Sequence, residues 1–200
     1  MTRRIPLPEF CVQAVLTYEE LLWRRRSVRA FAPRPLTLQH CAQLLWAAQG
    51  VSDPAGLRTA PLAGALYPLE PFLVVGQVTG LDAAVYRYEP TGHLLAVHLA
   101  GDQRTALAAA AHGQSWVAQG AVVLAIAAAY QRCARKYGER AARYVPLEAG
   151  HVAQNVCVEC TALGLGTAPI GAIDDDTVRR VLRLLAGLDP LYLLPVGHPT

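Results

Sequence analysis

Two hundred residues fit one domain, 1–200, and are enough to bury a substantial core. At 53% hydrophobic and 16% charged the chain is excluded from the disordered class, and its apolar content suggests much buried surface, with room in it for a subunit interface. A net charge of +3 gives no ground for a nucleic-acid partner, and the 18 basic residues include a single lysine, Lys136.

A Pro-punctuated N-terminal arm leads into TYEELLWRRRSVRAF, where a helix opens at Thr17 or Tyr18, has Glu19 and Glu20 at its positive end, and stops before Pro33 and Pro35. Thr37 is the N-cap expected for a second helix, which presents Leu38, Cys41, Leu44, Leu45 and Ala48 on one face and ends at Gly50. Residues 51–71 hold too much proline and glycine for periodicity, and a loop of this length in a compact domain is usually functional. PFLVVGQV, AVYRYE and LLAVHL read as strands, the last two joined by a turn at Pro90-Thr91-Gly92-His93. A small helix follows Asp102, and AVVLAIAAA reads as a buried central strand. That run is well short of the roughly 20 residues of a membrane span. A helix over Glu148–Leu163, a stop at Gly164-Leu165-Gly166, a short strand, a helix from Thr177 to Leu185 and a last strand from Leu191 to Val196 complete the chain. Strands set among helices define an α+β or α/β class with one sheet.

Cys11, Cys41, Cys133, Cys157 and Cys160 are odd in number, lie in apolar contexts and read as buried thiols. With no apolar run behind the basic N-terminal residues, the expectation is a cytoplasmic protein. Cys157 and Cys160 have CxxC spacing, but lie within one helix with no second pair, which favours packing over zinc or redox chemistry. Asp174-Asp175-Asp176 can cap the helix that follows. His151, three residues after Glu148, has no third metal ligand at informative spacing and reads as a core histidine. His40, His93, His98 and His112 form no cluster.

Four segments can carry chemistry. Arg25, Arg26, Ser27 and Arg29 place guanidiniums and a hydroxyl where they can surround a phosphate, or else form a solvated basic patch. Small residues and prolines around Pro61, Leu62 and Ala63 allow close approach of backbone to a flat ligand, or form a turn-rich crossover. Pro169, Ile170 and Gly171 follow a helix stop and expose backbone donors. Lys136 and Tyr137 are a proton-transfer pair or an exposed helix end.

Taken in order, RRSVRAF, APLAGALYPLE, KYGERAARYVPLEAGHVAQN and LGLGTAPIG with the terminal LYLLPVGHP resemble the nitroreductase-like flavoproteins. Within them the likeness is to the SagB-type dehydrogenases, which include azoline oxidases of thiazole and oxazole peptide biosynthesis. It runs from about Leu22 to Pro199. The resemblance implies an α+β fold, a central, mostly antiparallel sheet flanked by helices, in a homodimer with FMN at the interface. It implies that Arg25, Ser27 and Arg29 hold the FMN phosphate, with Arg26 contributing, and that Pro61, Leu62 and Ala63 line the isoalloxazine. Pro169, Ile170 and Gly171 would pass beside the ring, and Gln154 and Asn155 would belong to the same pocket. Leu62 stands where the group often has a serine, so one hydroxyl contact is lost.

By the same resemblance Lys136 and Tyr137 are catalytic in oxidising an azoline or similar amino-acid-derived intermediate, with hydride passing to flavin and oxygen reoxidising it. The substrate would be a small or peptide-derived molecule, delivered with or without a biosynthetic partner enzyme. The alternatives are an NAD(P)H-dependent reductase of nitroaromatics or quinones, and a non-catalytic member of a modifying-enzyme complex. No metal, nucleic acid or membrane partner is expected.

Overall fold

The computed structural model describes residues 3–13 and 15–200; Met1, Thr2 and Ala14, in the expected arm, lie outside the described residues. The sheet is organised around β5 (Val122–Ala128), all of whose residues are buried because both faces are covered. Val122, Leu124, Ile126 and Ala128 enter one core and Val123, Ala125 and Ala127 the other, the two-residue alternation of a strand packed on both sides. β5 lies between β2 (Leu69–Val75) and β7 (Asp189–Gly197). With β1 (Arg4–Pro6), β3 (Ala84–Glu89), β4 (Leu94–Ala100) and β6 (Gly166–Thr167) the order is β1-β4-β3-β2-β5-β7-β6, and each adjacent pair is antiparallel. The first face is covered by α2 (Leu38–Gln49), α5 (Tyr130–Tyr137) and α6 (Ala141–Ala162). The second is covered by α3 (Arg104–Ala110), α4 (Trp116–Gln119) and α7 (Asp175–Val181). Among the described residues no helix is long and apolar enough to cross a membrane.

Capping chemistry sets the helix starts. In α1 (Tyr18–Arg24), Thr17 Oγ1 accepts from the Glu20 N–H and the Glu20 carboxylate accepts from the Thr17 N–H. Thr37 and His40 form the same box at α2, with His40 Nδ1 as the acceptor. Burial, with His198 and Arg34 nearby, lowers the His40 pKa and so keeps that nitrogen an acceptor. Asp174 caps α7 by accepting from the Thr177 N–H.

Several boundaries differ from the sequence reading, among them the last helix, which is α7 over Asp175–Val181 rather than Thr177 to Leu185. Part of the N-terminal arm is a strand, because Arg4–Pro6 pairs with Ala96–Leu94 at the sheet edge, where a proline costs no ladder hydrogen bond. α1 ends at Arg24, well before Pro33, because Arg25 turns extended and residues 27–31 join the far edge through the Ser27–Thr167 and Phe31–Pro199 bridges. α6 begins at Ala141 and accommodates Pro146 in its second turn. Cys41, Cys133, Cys157 and Cys160 are buried free thiols, whereas Cys11 is exposed.

Candidate functional site

The Arg25–Arg29 segment is held by backbone. The Val28 N–H donates to Thr167 O at 3.0 Å, and the Ala32 N–H to His198 O at 2.8 Å. Gly166 lets Val28 approach, since a Cβ there would lie 2.6 Å from Val28 Cβ. Within this frame the guanidiniums differ. Arg26 turns back onto the Trp23 and Arg25 carbonyls at the end of α1. Arg29 lies 5.6 Å from the centroid of Trp116. Among the described residues none of Arg25, Arg26 and Arg29 has a carboxylate partner, and Ser27 makes no side-chain hydrogen bond. Thr167 beside them is buried with its Oγ1 unpartnered. Cationic side chains without counter-charges at a sheet edge are suited to an anion.

Ile170 is fixed to β7, its N–H bonded to Leu193 O at 2.8 Å and its carbonyl accepting from Leu193 N at 3.0 Å. Of the three expected donors, Ile170 is therefore committed to the sheet and Pro169 has no N–H. The exposed Gly171 N–H makes no hydrogen bond among the described residues.

The loop from Arg58 to Tyr67 meets the end of α5. A Cβ on Gly64 would lie 2.6 Å from Tyr137 Oη and 2.9 Å from Lys136 Nζ, so the missing side chain lets these segments close together. Lys136 is exposed, with its ammonium 5.4 Å from the Tyr137 ring, and Tyr137 packs edge-on against Tyr144. Gly64, Ala65 and Tyr67 all have positive φ, at 68°, 52° and 45°, a conformation costly for the alanine and more so for the tyrosine. Pro61, Leu62 and Ala63 form one wall of a pocket of about 260 Å³, opposite Tyr144, Leu147, Glu148 and His151 of α6. His151 is exposed rather than in the core, and its Nδ1 lies 3.2 Å from Pro61 O.

Gln154 and Asn155 line a different pocket, with Tyr18, Trp46 and Thr59. Asn155 Nδ2 donates to Ala47 O at 3.0 Å and ties α6 to α2.

One polar network was not singled out from sequence. Glu148, 1% exposed, accepts from Gln49 Nε2 at 3.1 Å; Gln49, fully buried, accepts from Arg58 NH1 at 2.7 Å. The Arg58 guanidinium stacks on Tyr67 at 4.3 Å, and the Arg58 N–H donates to Tyr67 Oη at 3.2 Å. Arg132 of α5 donates to Tyr67 O and Glu70. Glu148 Oε2 has no partner. Burial raises the Glu148 pKa to about 7, against the lowering effects of Gln49, Arg58 and Arg132. Glu148 and Gln49 are 99 residues apart, a separation that no local pattern reports.

An edge with unpaired guanidiniums, a pocket walled by a strained loop, and an antiparallel sheet covered on both faces define a cofactor-binding α+β enzyme. The nitroreductase family pattern matches residues 22–198, and the chain belongs to that family. It is 43% identical over 197 residues to the nitroreductase-family protein MJ1384 of Methanocaldococcus jannaschii, covering 98% of this chain and 97% of that one. Of solved structures, a nitroreductase-family protein of Ralstonia eutropha JMP134 superimposes with a TM-score of 0.88 at 27% identity, covering 99% of this chain and 90% of the other. A chain of the Escherichia coli microcin synthetase McbBCD complex shares the fold, with a TM-score of 0.77 at 21% identity over 95% of this chain and 76% of that one.

The protein is thus an FMN-dependent oxidoreductase. Its residues fit the cofactor: Arg25, Arg29 and Ser27, unpartnered among the described residues and joined to Thr167 at the sheet edge, suit a phosphate. The family match is to the nitroreductase family as a whole and names no subgroup within it.

Proposed function

We propose that this chain is an NAD(P)H-dependent reductase of nitroaromatic or quinone-like substrates. The observation that carries the choice over azoline oxidation is the 43% identity, over nearly the whole of both chains, to a protein named as a nitroreductase. The azoline-oxidase reading keeps one support, the packing of Gly64 against Lys136 and Tyr137, which sets that pair beside the Pro61–Ala63 wall.

FMN supplies the two-electron chemistry when bound. The chain's residues bind and orient. Arg25, Ser27 and Arg29 hold the phosphate, and Arg26 contributes less because its guanidinium is engaged with backbone carbonyls. Pro61, Leu62 and Ala63 would line the ring, the Gly171 N–H would be available to it, and Ile170 fixes that segment to β7. Tyr137 brings its hydroxyl against the loop at Gly64. Leu147, which lines the pocket, is 54% exposed, and Tyr18 and Trp23 of α1 are 62% and 79% exposed, apolar area suited to a second copy of the chain. In this reading the working unit is a cytoplasmic homodimer, with Gln154 and Asn155 on the α6 surface near the second copy.

The test is the absorbance spectrum of the purified, FMN-supplied protein before and after anaerobic addition of NADPH and NADH. Bound flavin that bleaches rapidly with either nucleotide is the expected result. Bound flavin that neither nucleotide reduces would overturn the reductase in favour of an oxidase driven by its own substrate.

A further inference from the structure

Glu148 is used by none of the roles above, yet it is the most deeply buried acid of the site and lines the pocket opposite the Pro61–Ala63 wall. Carboxylates are costly to bury, and one kept in a core normally has both oxygens engaged. Here only Oε1 is engaged, by Gln49, and Oε2 is buried with no partner among the described residues. From Oε1 the hydrogen bonds run to Gln49 and then Arg58, the residue at which the loop begins. Arg58 closes the loop on itself by stacking on Tyr67 and donating its N–H to Tyr67 Oη. Between these ends the backbone adopts three left-handed residues, a conformation that persists only where its surroundings enforce it.

We propose that Glu148 is the positioning residue of the candidate site: through Gln49 and Arg58 it holds the Arg58–Tyr67 loop, with Pro61, Leu62 and Ala63, against Lys136 and Tyr137. The inference rests on the reading of that loop as a wall of the flavin site, but its mechanical part is independent of FMN. The groups that face Glu148 are Gln49 from α2, Arg58 from the loop, Arg132 and Cys133 from α5, and Tyr144 and His151 from its own helix. Burial outweighs the Gln49 amide and the nearby cations Arg58 and Arg132, so the closed loop holds the neutral carboxyl better than the charged one.

The experiment is amide hydrogen exchange of residues 58–67, corrected for intrinsic rates, between pH 6 and 8, on FMN-free and FMN-supplied protein. In the wild type the protection of this loop should fall as pH rises through a transition near 7. Glu148→Gln should fold, keep most of the protection and lose the transition. Arg58→Met breaks the chain of hydrogen bonds at its half-buried end and should cost the loop about tenfold in protection, the scale of one buried hydrogen bond left unmade. Adding Glu148→Gln to Arg58→Met should then change nothing further. A transition that survives in Glu148→Gln, or additive losses in the double variant, would overturn the proposal. Failure to bind FMN would overturn the flavin reading alone, because the exchange pattern is read without it.

Discussion

Arg104 and Arg58 lie on opposite faces of one sheet and answer the same problem differently. Arg104, at the start of α3, is 9% exposed and fully matched. Its guanidinium bonds both oxygens of Asp102, with Nη2 to Oδ2 at 2.7 Å, and donates to Gly120 O, filling the space left by Gly76. Burial alone would raise the Asp102 pKa, but the hydrogen bonds and charge of Arg104 outweigh it and the acid is lowered. Arg58 instead bonds a neutral amide, stacks on an aromatic ring, and reaches a carboxyl only at second remove. That carboxyl has a free oxygen and a raised pKa. The first network is closed and local, as a structural brace is. The second is open, long-range and next to a strained loop, an arrangement that costs stability and is retained where a site needs a set geometry.

pH separates the two most strongly. Glu148 takes up a proton more readily in the folded than in the unfolded chain, so its favourable contribution is complete below about pH 4.5 and is lost as pH rises through about 7. That loss is on the order of 3 kcal/mol. Asp102 acts with the opposite sign, its contribution being present at neutral pH and lost as pH falls through its lowered pKa. Denaturant titrations from pH 5 to 8 should show a decline in wild-type stability that Glu148→Gln abolishes. An undiminished decline in that variant would place the titrating group elsewhere.

Removing the brace comes next. Arg104→Ala should cost about 2–3 kcal/mol, somewhat less than a fully buried pair because Asp102 is partly exposed. FMN affinity should not change, since this network lies on the far face from the Pro61–Ala63 pocket. Urea midpoints and an FMN titration on the same preparation check both halves. Weakened FMN binding would erase the contrast between the faces.

Much of this contrast was invisible in sequence for identifiable reasons. The caps at Thr17, Thr37 and Asp174 and the strands Ala84–Glu89 and Val122–Ala128 were legible because their signals are local: a side chain three residues from its partner, a period of two, a buried apolar run. The arginine cluster was visible as composition, but the different engagement of Arg26 depends on where α1 ends. β1 could not be foreseen from a short segment with prolines, whose pairing is decided by β4 some 90 residues away. His151 looked like a core residue and is exposed, although it shares a helix face and a pocket with the buried Glu148 three residues earlier. The Glu148–Gln49–Arg58 path is a product of tertiary packing of α2, α6 and the loop.

The smallest effect tests whether strain belongs to the open network. Ala65 holds φ at 52°, where its Cβ costs about 1 kcal/mol that glycine would not incur. Ala65→Gly also gives the unfolded chain more freedom, which offsets part of the gain. The net should be a stabilisation below about 1 kcal/mol, a rise of a few degrees at most in Tm. If the Glu148 path holds the loop against this strain, relief at Ala65 should make the loop less dependent on it, and Arg58→Met should cost less loop protection in the Ala65→Gly background. Equal costs in the two backgrounds would mean that strain and network act independently, and that the left-handed residues are fixed by packing against Lys136 and Tyr137 alone.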